Sequence, residues 1–380
     1  MLKKIYLLAI GLILSGCFMF EEDEVVINPP DLLVDFIESR EITEVWQTNI
    51  GRLNLSSDNI TLSSNGTLLF VSSGNSEILA LDIENGNEVW SQQFDFNIVS
   101  GPEYAAGRLF VSSAEGSIVS VNAENGSLNW EISINVEVST PLTATNQGLV
   151  IGTSGGTIIG INPNTGVVLW ENQQEMPVLT VRGGTKPIIS GATVLAGFDN
   201  GRVAAYNLFT GDTLWEIPLS LASGTSQLER LIDVADRMVL RGNILYCINL
   251  HGYLTAIEIN NGTPLWNREI SSHAGVSAND TRLIVLDEIG DIYTYQAQSS
   301  SPDWTNDSFS YRDLTLPAIL PGYVVTGDFE GYVHLIDSTN GEVANRIRSA
   351  RSPISIPILA LGDNFFVLSD AGNLASYTLN

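Results

Sequence analysis

Positive charge is scarce in this chain. Lysine occurs only three times in 380 residues, and Lys3 and Lys4 are two of the three. Lys and Arg together number 17 against 43 Asp and Glu, a formal net charge of −26. Nucleic-acid binding depends on neutralising phosphates, and adhesion to anionic lipid on basic patches, so this balance argues against both. Cysteine is scarcer still, with only Cys17 and Cys247, which leaves no disulfide framework, no adjacent pair and no C-x-x-C motif. The three histidines, His251, His273 and His334, lie far apart and form no H-E-x-x-H. A G-x-S-x-G elbow and a P-loop are also absent. What the chain does have is apolar mass: 44% of residues are hydrophobic and only 16% charged, ample for a large core.

The first residues read as a targeting segment. Lys3 and Lys4 precede an apolar run, Ile5 to Leu14, that is short for a membrane span. Leu14-Ser15-Gly16-Cys17 then has the form of a bacterial lipobox. Residues 1–16 are therefore expected to be a lipoprotein signal peptide and the Cys17 thiol the lipid attachment point, where several acyl chains give stable anchoring. Phe18, rather than the Asp of an inner-membrane retention signal, favours the outer membrane. Residues 17–40 read as a lipidated tether whose acidic stretch, 18–30, ends in Pro29-Pro30, able to span roughly 75 Å from Cys17 to Arg40 if fully extended. Within it, Leu32, Leu33, Phe36 and Ile37 have helical spacing and fit either one helical turn or a strap over the body. With Cys17 lipidated, Cys247 has no intrachain partner and reads as a buried, inert thiol in the strand-like run NILYCINLHG.

All seven tryptophans fall on one recurring phrase: Gly, nine residues, Gly, three residues, Trp. Clean copies end at Trp130, Trp170, Trp215 and Trp266 (GSIVSVNAENGSLNW is one), while Trp90 follows Ser76 instead of the leading Gly. Trp304 closes a weaker copy with Ser300 at the second Gly position. A seventh copy has Asn345 where Trp belongs, and a last one, led by Gly372, ends at Asn380. Repeats of this length with short strands and fixed turns mark propeller blades. Trp46 lacks a leading half and the last copy lacks a Trp, so joining them completes a ring. The chain is predicted to be all-β: an eight-bladed propeller of four-stranded blades over residues 41–380, closed by the N-terminal strand EVWQTNI. The glycine four residues before each Trp is expected at positive φ. Asp82, Asn122, Asn162, Asn207 and Asp337 are expected to form Asx turns rather than calcium ligands.

The repeat is broken in two places. Trp-to-Trp intervals run 44, 40, 40, 45, 51 and 38 residues, and the two long consecutive ones contain EMPVLTVRGG (175–184) and SGTSQLERLIDVADR (223–237). Extra loop length on a scaffold of short turns is where function concentrates. Leu179, Val181, Leu228, Leu231 and Ile232 stand beside Arg182, Glu229, Arg230 and Asp233. Apolar anchors next to arginine suit a protein-binding hot spot, although strand ends of longer blades would look the same.

Lipobox, Trp-repeat blades and these two loops together resemble the BamB family, lipoproteins of the β-barrel assembly machinery of Gram-negative bacteria. The likeness is most specific at 177–183, at Asp199-Asn200-Gly201-Arg202-Val203 and at 229–234. It implies docking on the periplasmic POTRA domains of BamA, alongside the other Bam lipoproteins, in a lipid-anchored periplasmic position at the outer membrane. It implies that Leu179, Val181 and Arg182 carry the contact, with Glu229, Arg230 and Asp233 in the second loop. There the chain departs from the family: the second member of an acidic pair falls on Ala235, with Asp236 one step later. Unfolded outer-membrane proteins would be its clients, and no catalytic residue or cofactor is implied. An enzymatic alternative comes from the same Trp phrase, which also occurs in dehydrogenases carrying pyrroloquinoline quinone; these need calcium ligands, a catalytic carboxylate and usually a vicinal disulfide. A generic ligand-binding propeller lipoprotein is the remaining alternative.

Overall fold

The computed structural model describes residues 28–53, 59–177, 184–219, 233–234, 237–272, 274–279, 281–296 and 301–380. Every regular element among them is a strand, and the strands form eight sheets arranged as the blades of a propeller. In chain order the blades occupy residues 63–93, 98–133, 143–173, 188–218, 239–269, 276–306, 318–348 and 359–379. The eighth is completed by Ile42–Asn49, which pairs antiparallel with Asn373–Leu379, placing Ile42 opposite Leu379. The predicted ring closure is the observed one. Blade 2 carries a further short strand, Asn59–Ile60, parallel to its inner strand Ile98–Ala105, which the repeat did not announce.

The two middle strands of each blade are buried along their length. In blade 4, Val194, Leu195 and Ala196 pair with Tyr206, Ala205 and Ala204, all with no exposed surface. Side chains on one face join Val150, Ile158 and Trp170 of blade 3, and those on the other join Leu245, Cys247 and Ile257 of blade 5. Burial on both faces explains why these strands read as continuous apolar runs rather than as alternation. It also leaves Cys247 fully buried, and burial pushes its thiol pKa well up, as expected of an inert cysteine.

The Trp phrase works between blades. The outer strands of blades 1 to 5 and 8 have a bulge just before their Trp, so the preceding residue (Val89, Leu169 and Leu214 among them) is left out of register and exposed. The bulge turns the indole toward the next blade. There Trp46, Trp90, Trp130, Trp170, Trp215 and Trp304 each donate Nε1–H to a backbone carbonyl at 2.7–3.2 Å. Each of these rings also lies against a glycine of that blade: Gly86, Gly126, Gly166, Gly211, Gly262 and Gly341, at φ of 71° to 78°. A Cβ on any of these glycines would fall 2.5–2.8 Å from the indole, so both the positive φ and the close approach require glycine. Trp266 differs: Arg268 lies over its ring at 3.7 Å and over Tyr295 at 4.8 Å. The Asx turns are as expected, with Asp82, Asn122, Asn162, Asn207 and Asp337 each accepting from the amide two residues on.

Of the two readings of residues 31–38, the structure shows the strap. Residues 31–40 form no helix and run along the outer edge of blade 7, with Leu33 and Phe36 half-buried and Leu32 and Ile37 exposed. The Ser39 amide donates to the Ala344 carbonyl at 3.0 Å, and the Asp31 amide to the Ser310 carbonyl at 3.0 Å.

Candidate partner-docking site

Both insertions connect the outer strand of one blade to the inner strand of the next. The first leaves Val168–Gln173 and re-enters at Ile188–Ser190; the second leaves Thr213–Pro218 and re-enters at Val239–Arg241. In an up-and-down blade such connections lie on the same face as the turn between the two middle strands. The described ends of both insertions therefore flank blade 4 on one face, together with the turn at Asp199 and Asn200.

The ends of the insertions are tied to each other. The Thr185 hydroxyl donates to the Val234 carbonyl at 3.1 Å, and Lys186 and Arg237 form a parallel bridge. Gly197, at the end of a middle strand of blade 4, is where they converge: a Cβ there would sit 2.7 Å from Val234 and 2.8 Å from Thr185. The Val234 amide reaches the Phe198 carbonyl at 3.3 Å, and the Leu250 amide reaches the Asp233 carbonyl at 3.0 Å. The turn of blade 4 holds the first insertion directly, since Asn200 Nδ2 donates to the Glu175 carbonyl at 2.9 Å. Gln174, at the root of that insertion, donates to Tyr206 Oη at 2.9 Å and Glu216 at 3.1 Å, and Glu216 also pairs with Arg202. Burial pushes the Tyr206 phenol up to about 12, so it stays a neutral hydrogen-bonding group. Lys186 crosses to Glu103 on the inner strand of blade 2 at 2.8 Å.

Of the residues singled out in the sequence, Leu179, Val181, Arg182, Glu229 and Arg230 lie outside the described residues, as do Ala235, Asp236 and the lipid-site Cys17. Asp233 is described and is buried, 4% exposed, at the foot of the second insertion. The structure thus places Asp233 within the stem rather than at an open surface.

A second cluster, on blade 7, was not visible in the sequence. Asp328, fully buried, accepts from Arg312 Nη2 at 2.7 Å and Nε at 3.0 Å and lies 3.0 Å from His334 Nε2. Its other oxygen caps the turn, accepting from the Glu330 and Tyr332 amides at 3.0 and 2.9 Å. Arg346 Nε donates to His334 Nδ1 at 3.1 Å, so the imidazole is neutral with its proton on Nε2, facing Asp328. Burial lowers the His334 pKa, and the cations Arg346 and Arg312 lower it further against the opposing pull of Asp328. Burial on its own would raise the Asp328 pKa, yet hydrogen bonds from His334, Arg312 and the Tyr332 amide hold it below the usual carboxylate range. Glu330 also pairs with Arg312, and Asp35 acts on Arg346 from the strap. The sign of the pH dependence follows. Below the usual imidazole value of 6.5 the unfolded chain takes up a proton that folded His334 refuses. Stability is present above pH 6.5 and is lost as pH falls toward the lower folded value. Melting temperature is expected to drop between pH 7 and pH 5 more steeply in the wild type than in His334→Gln, as differential scanning fluorimetry would show.

The family model described as outer membrane protein assembly factor BamB matches residues 34–130 and 97–306. An outer membrane protein assembly factor BamB of Pseudomonas aeruginosa is 40% identical over 378 residues, covering 99% of each chain. The chain belongs to the BamB family. The crystal structure of BamB from Moraxella catarrhalis superposes with a TM-score of 0.80 at 21% identity, over 89% of this chain and 100% of that one. The same ring also superposes on a quinohemoprotein alcohol dehydrogenase of Pseudomonas putida, with a TM-score of 0.66 at 12% identity over 89% of this chain and 76% of that one. That second likeness is one of fold. Beside the inner strands of blades 5 to 8 of this BamB-family chain lies a space of about 360 Å³ lined by Arg237, Arg241 and apolar or small residues. Among the described residues no group of His, Cys, Asp or Glu is arranged to hold a metal ion. A calcium–quinone pair needs carboxylate and amide oxygens, and the residues lining this one space do not supply them.

Proposed function

We propose that the chain is a non-enzymatic scaffold of outer-membrane protein assembly, anchored through lipid on Cys17 and facing the periplasm. It docks on the POTRA domains of BamA through the two insertions that flank blade 4. Family membership supports the assembly role. The observation that carries the docking site is the convergence of both insertions on Gly197, where their ends are hydrogen-bonded into one unit. Tying the ends of the two insertions together brings both to one side of blade 4. Leu179, Val181 and Arg182 supply the apolar anchors and the cation of the docking surface, with Glu229 and Arg230 beside them. Asp233 acts from the stem, holding the second loop through its backbone. Unfolded outer-membrane proteins are the clients. Where a bulge precedes the Trp it interrupts the outer ladder, and strand addition by a client is confined to the residues after it.

The test is capture of BamA from detergent-solubilised membranes by the lipidated wild type and by Arg182→Ala. Loss of a hot-spot arginine costs at least ~2 kcal/mol, so capture is expected to weaken by about 30-fold at unchanged melting temperature. Equal capture by both moves the interface away from Arg182. Capture by neither overturns the docking reading.

A further inference from the structure

We propose that residues 31–40 are a docking strap that makes the lipid tether leave the propeller on the insertion face, between blades 6 and 7, and so holds that face toward the bilayer. The inference rests on the reading of Cys17 as the anchor.

Blade 7 is built to receive the strap. Its outer strand, Val343–Arg348, has Asn345 at the Trp position, and Asn345 Nδ2 donates to the Arg40 carbonyl at 2.7 Å and to Glu38 Oε1 at 3.0 Å. The bulged residue that other blades expose is here Ala344, 1% exposed beneath the strap, against 53% for Val89 and 52% for Leu214. Arg346 lies over the Phe36 ring at 5.1 Å and donates to the Val34 carbonyl at 3.0 Å. Arg312 donates to the Asp31 carbonyl at 2.9 Å. Both arginines are fixed from behind by the buried Asp328 and His334. A guanidinium held in place loses little freedom when it captures a carbonyl, so the strap binds a preformed surface.

The path of the strap sets the orientation. Ser310 and Arg312, which hold Asp31, lie in the connection from the outer strand of blade 6 to the inner strand of blade 7. That connection is on the same face as the two insertions. Docking also shortens the leash: from Cys17 to Asp31 the chain reaches at most roughly 46–50 Å, against roughly 75 Å if it were free to Arg40. Turning the opposite face to the bilayer would take the tether past the rim, whose strands of six to eight residues are roughly 20–27 Å long, leaving about half the reach. The shorter leash favours the insertion face toward the membrane, and a partner docked there lies between propeller and bilayer.

The test uses the full lipidated chain in phosphatidylethanolamine–phosphatidylglycerol vesicles carrying a headgroup quencher. A fluorophore is placed at Ser154→Cys, an exposed turn of blade 3 on the insertion face, or at Asn146→Cys, an exposed turn of the same blade on the other face. Cys247 is fully buried and does not compete for the label. Quenching is expected to be severalfold stronger at Ser154→Cys, and the difference to vanish when Leu33→Gly, Phe36→Gly and Glu38→Gly free the strap without altering chain length. Equal quenching at the two positions in wild type, or an asymmetry that survives the strap substitutions, overturns the proposal. Failure of the wild type to float with the vesicles overturns the anchor reading itself, and this one with it. Flotation with equal quenching removes only the orientation.

Discussion

Asp328→Ala is expected to destabilise the propeller by about 3–5 kcal/mol, the cost of leaving a buried cation without its partner. The carboxylate serves Arg312 through two nitrogens, His334 through Nε2 and two amides of its own turn. Alanine removes all of these acceptors at a site with no exposed surface. Glu330 remains beside Arg312, but its side chain is 43% exposed and its pairing is screened by water. At ~2.1 cal/mol/K per residue the loss corresponds to a melting temperature roughly 4–7 °C lower for a ring of this length. Hydrogen exchange is expected to rise in residues 31–40 as well as in blade 7, because Arg312 loses the contact that aims it at the Asp31 carbonyl. Asp328→Asn keeps the turn cap and the shape but not the charge, and should fall between the two. A wild-type melting curve for Asp328→Ala would mean that Arg312 and His334 are not held by this carboxylate.

The blade 7 cluster also shows where sequence reasoning stops. The repeat was legible because most blades share one local solution: a bulged outer strand, an indole and, on the next blade, a glycine at positive φ. Such solutions recur at fixed spacing, so a single chain displays them. The exchange of Trp for Asn345 was legible as a departure, but its cause was not. A Trp there would need a glycine turn on blade 8, and there the middle strand Asn373–Leu379 meets the outer strand Ile42–Asn49 without one: the Asn380 amide donates to the Glu41 carbonyl at 3.2 Å. With no turn to receive an indole, the position holds the strap instead. The strap itself carried misleading spacing, since Leu32, Leu33, Phe36 and Ile37 fit a helix until Arg312 and Arg346, roughly three hundred residues away, take the carbonyls of Asp31 and Val34. Tertiary donors of that kind override a weak local preference. Likewise Arg312, Asp328, His334 and Arg346 come from a connection and three different stretches of one blade, with no spacing to mark them. At the docking site the two loops were legible by their length. That Gly197 brings their ends together was not, since the glycine sits in a strand run like those of every other blade.

Trp170→Ala is the substitution that separates the ring from the docking site. Trp170 lies between Gly160 of its own blade and Gly211 of the next, where added Cβ atoms would come within 2.1 and 2.7 Å of it. It is 7% exposed, and its Nε1 donates to the Leu208 carbonyl at 2.7 Å. Truncation to alanine is expected to cost about 3–5 kcal/mol, from lost burial and the cavity left behind. Trp170→Phe restores most of the volume but not the donor, and is expected to recover all but about 1–2 kcal/mol. Trp304 makes the same joint between blades 6 and 7, lying on Gly341 and donating to the Ser338 carbonyl at 3.0 Å. Trp304→Ala should therefore lower the melting temperature by a similar amount. Their effects on capture of BamA should differ. The outer strand Val168–Gln173 runs directly into the first insertion, and Gln174 is fixed by Tyr206 and Glu216 of blade 4, the blade against which Trp170 packs. Loosening that joint moves the root of the insertion, so Trp170→Ala should lose capture as well as stability. Trp304 is two blades further on from blade 4, and Trp304→Ala should keep capture at temperatures where it is folded. Equal loss of capture in both variants would mean that binding tracks the stability of the whole ring, and equal retention that the root of the first insertion does not position the contact.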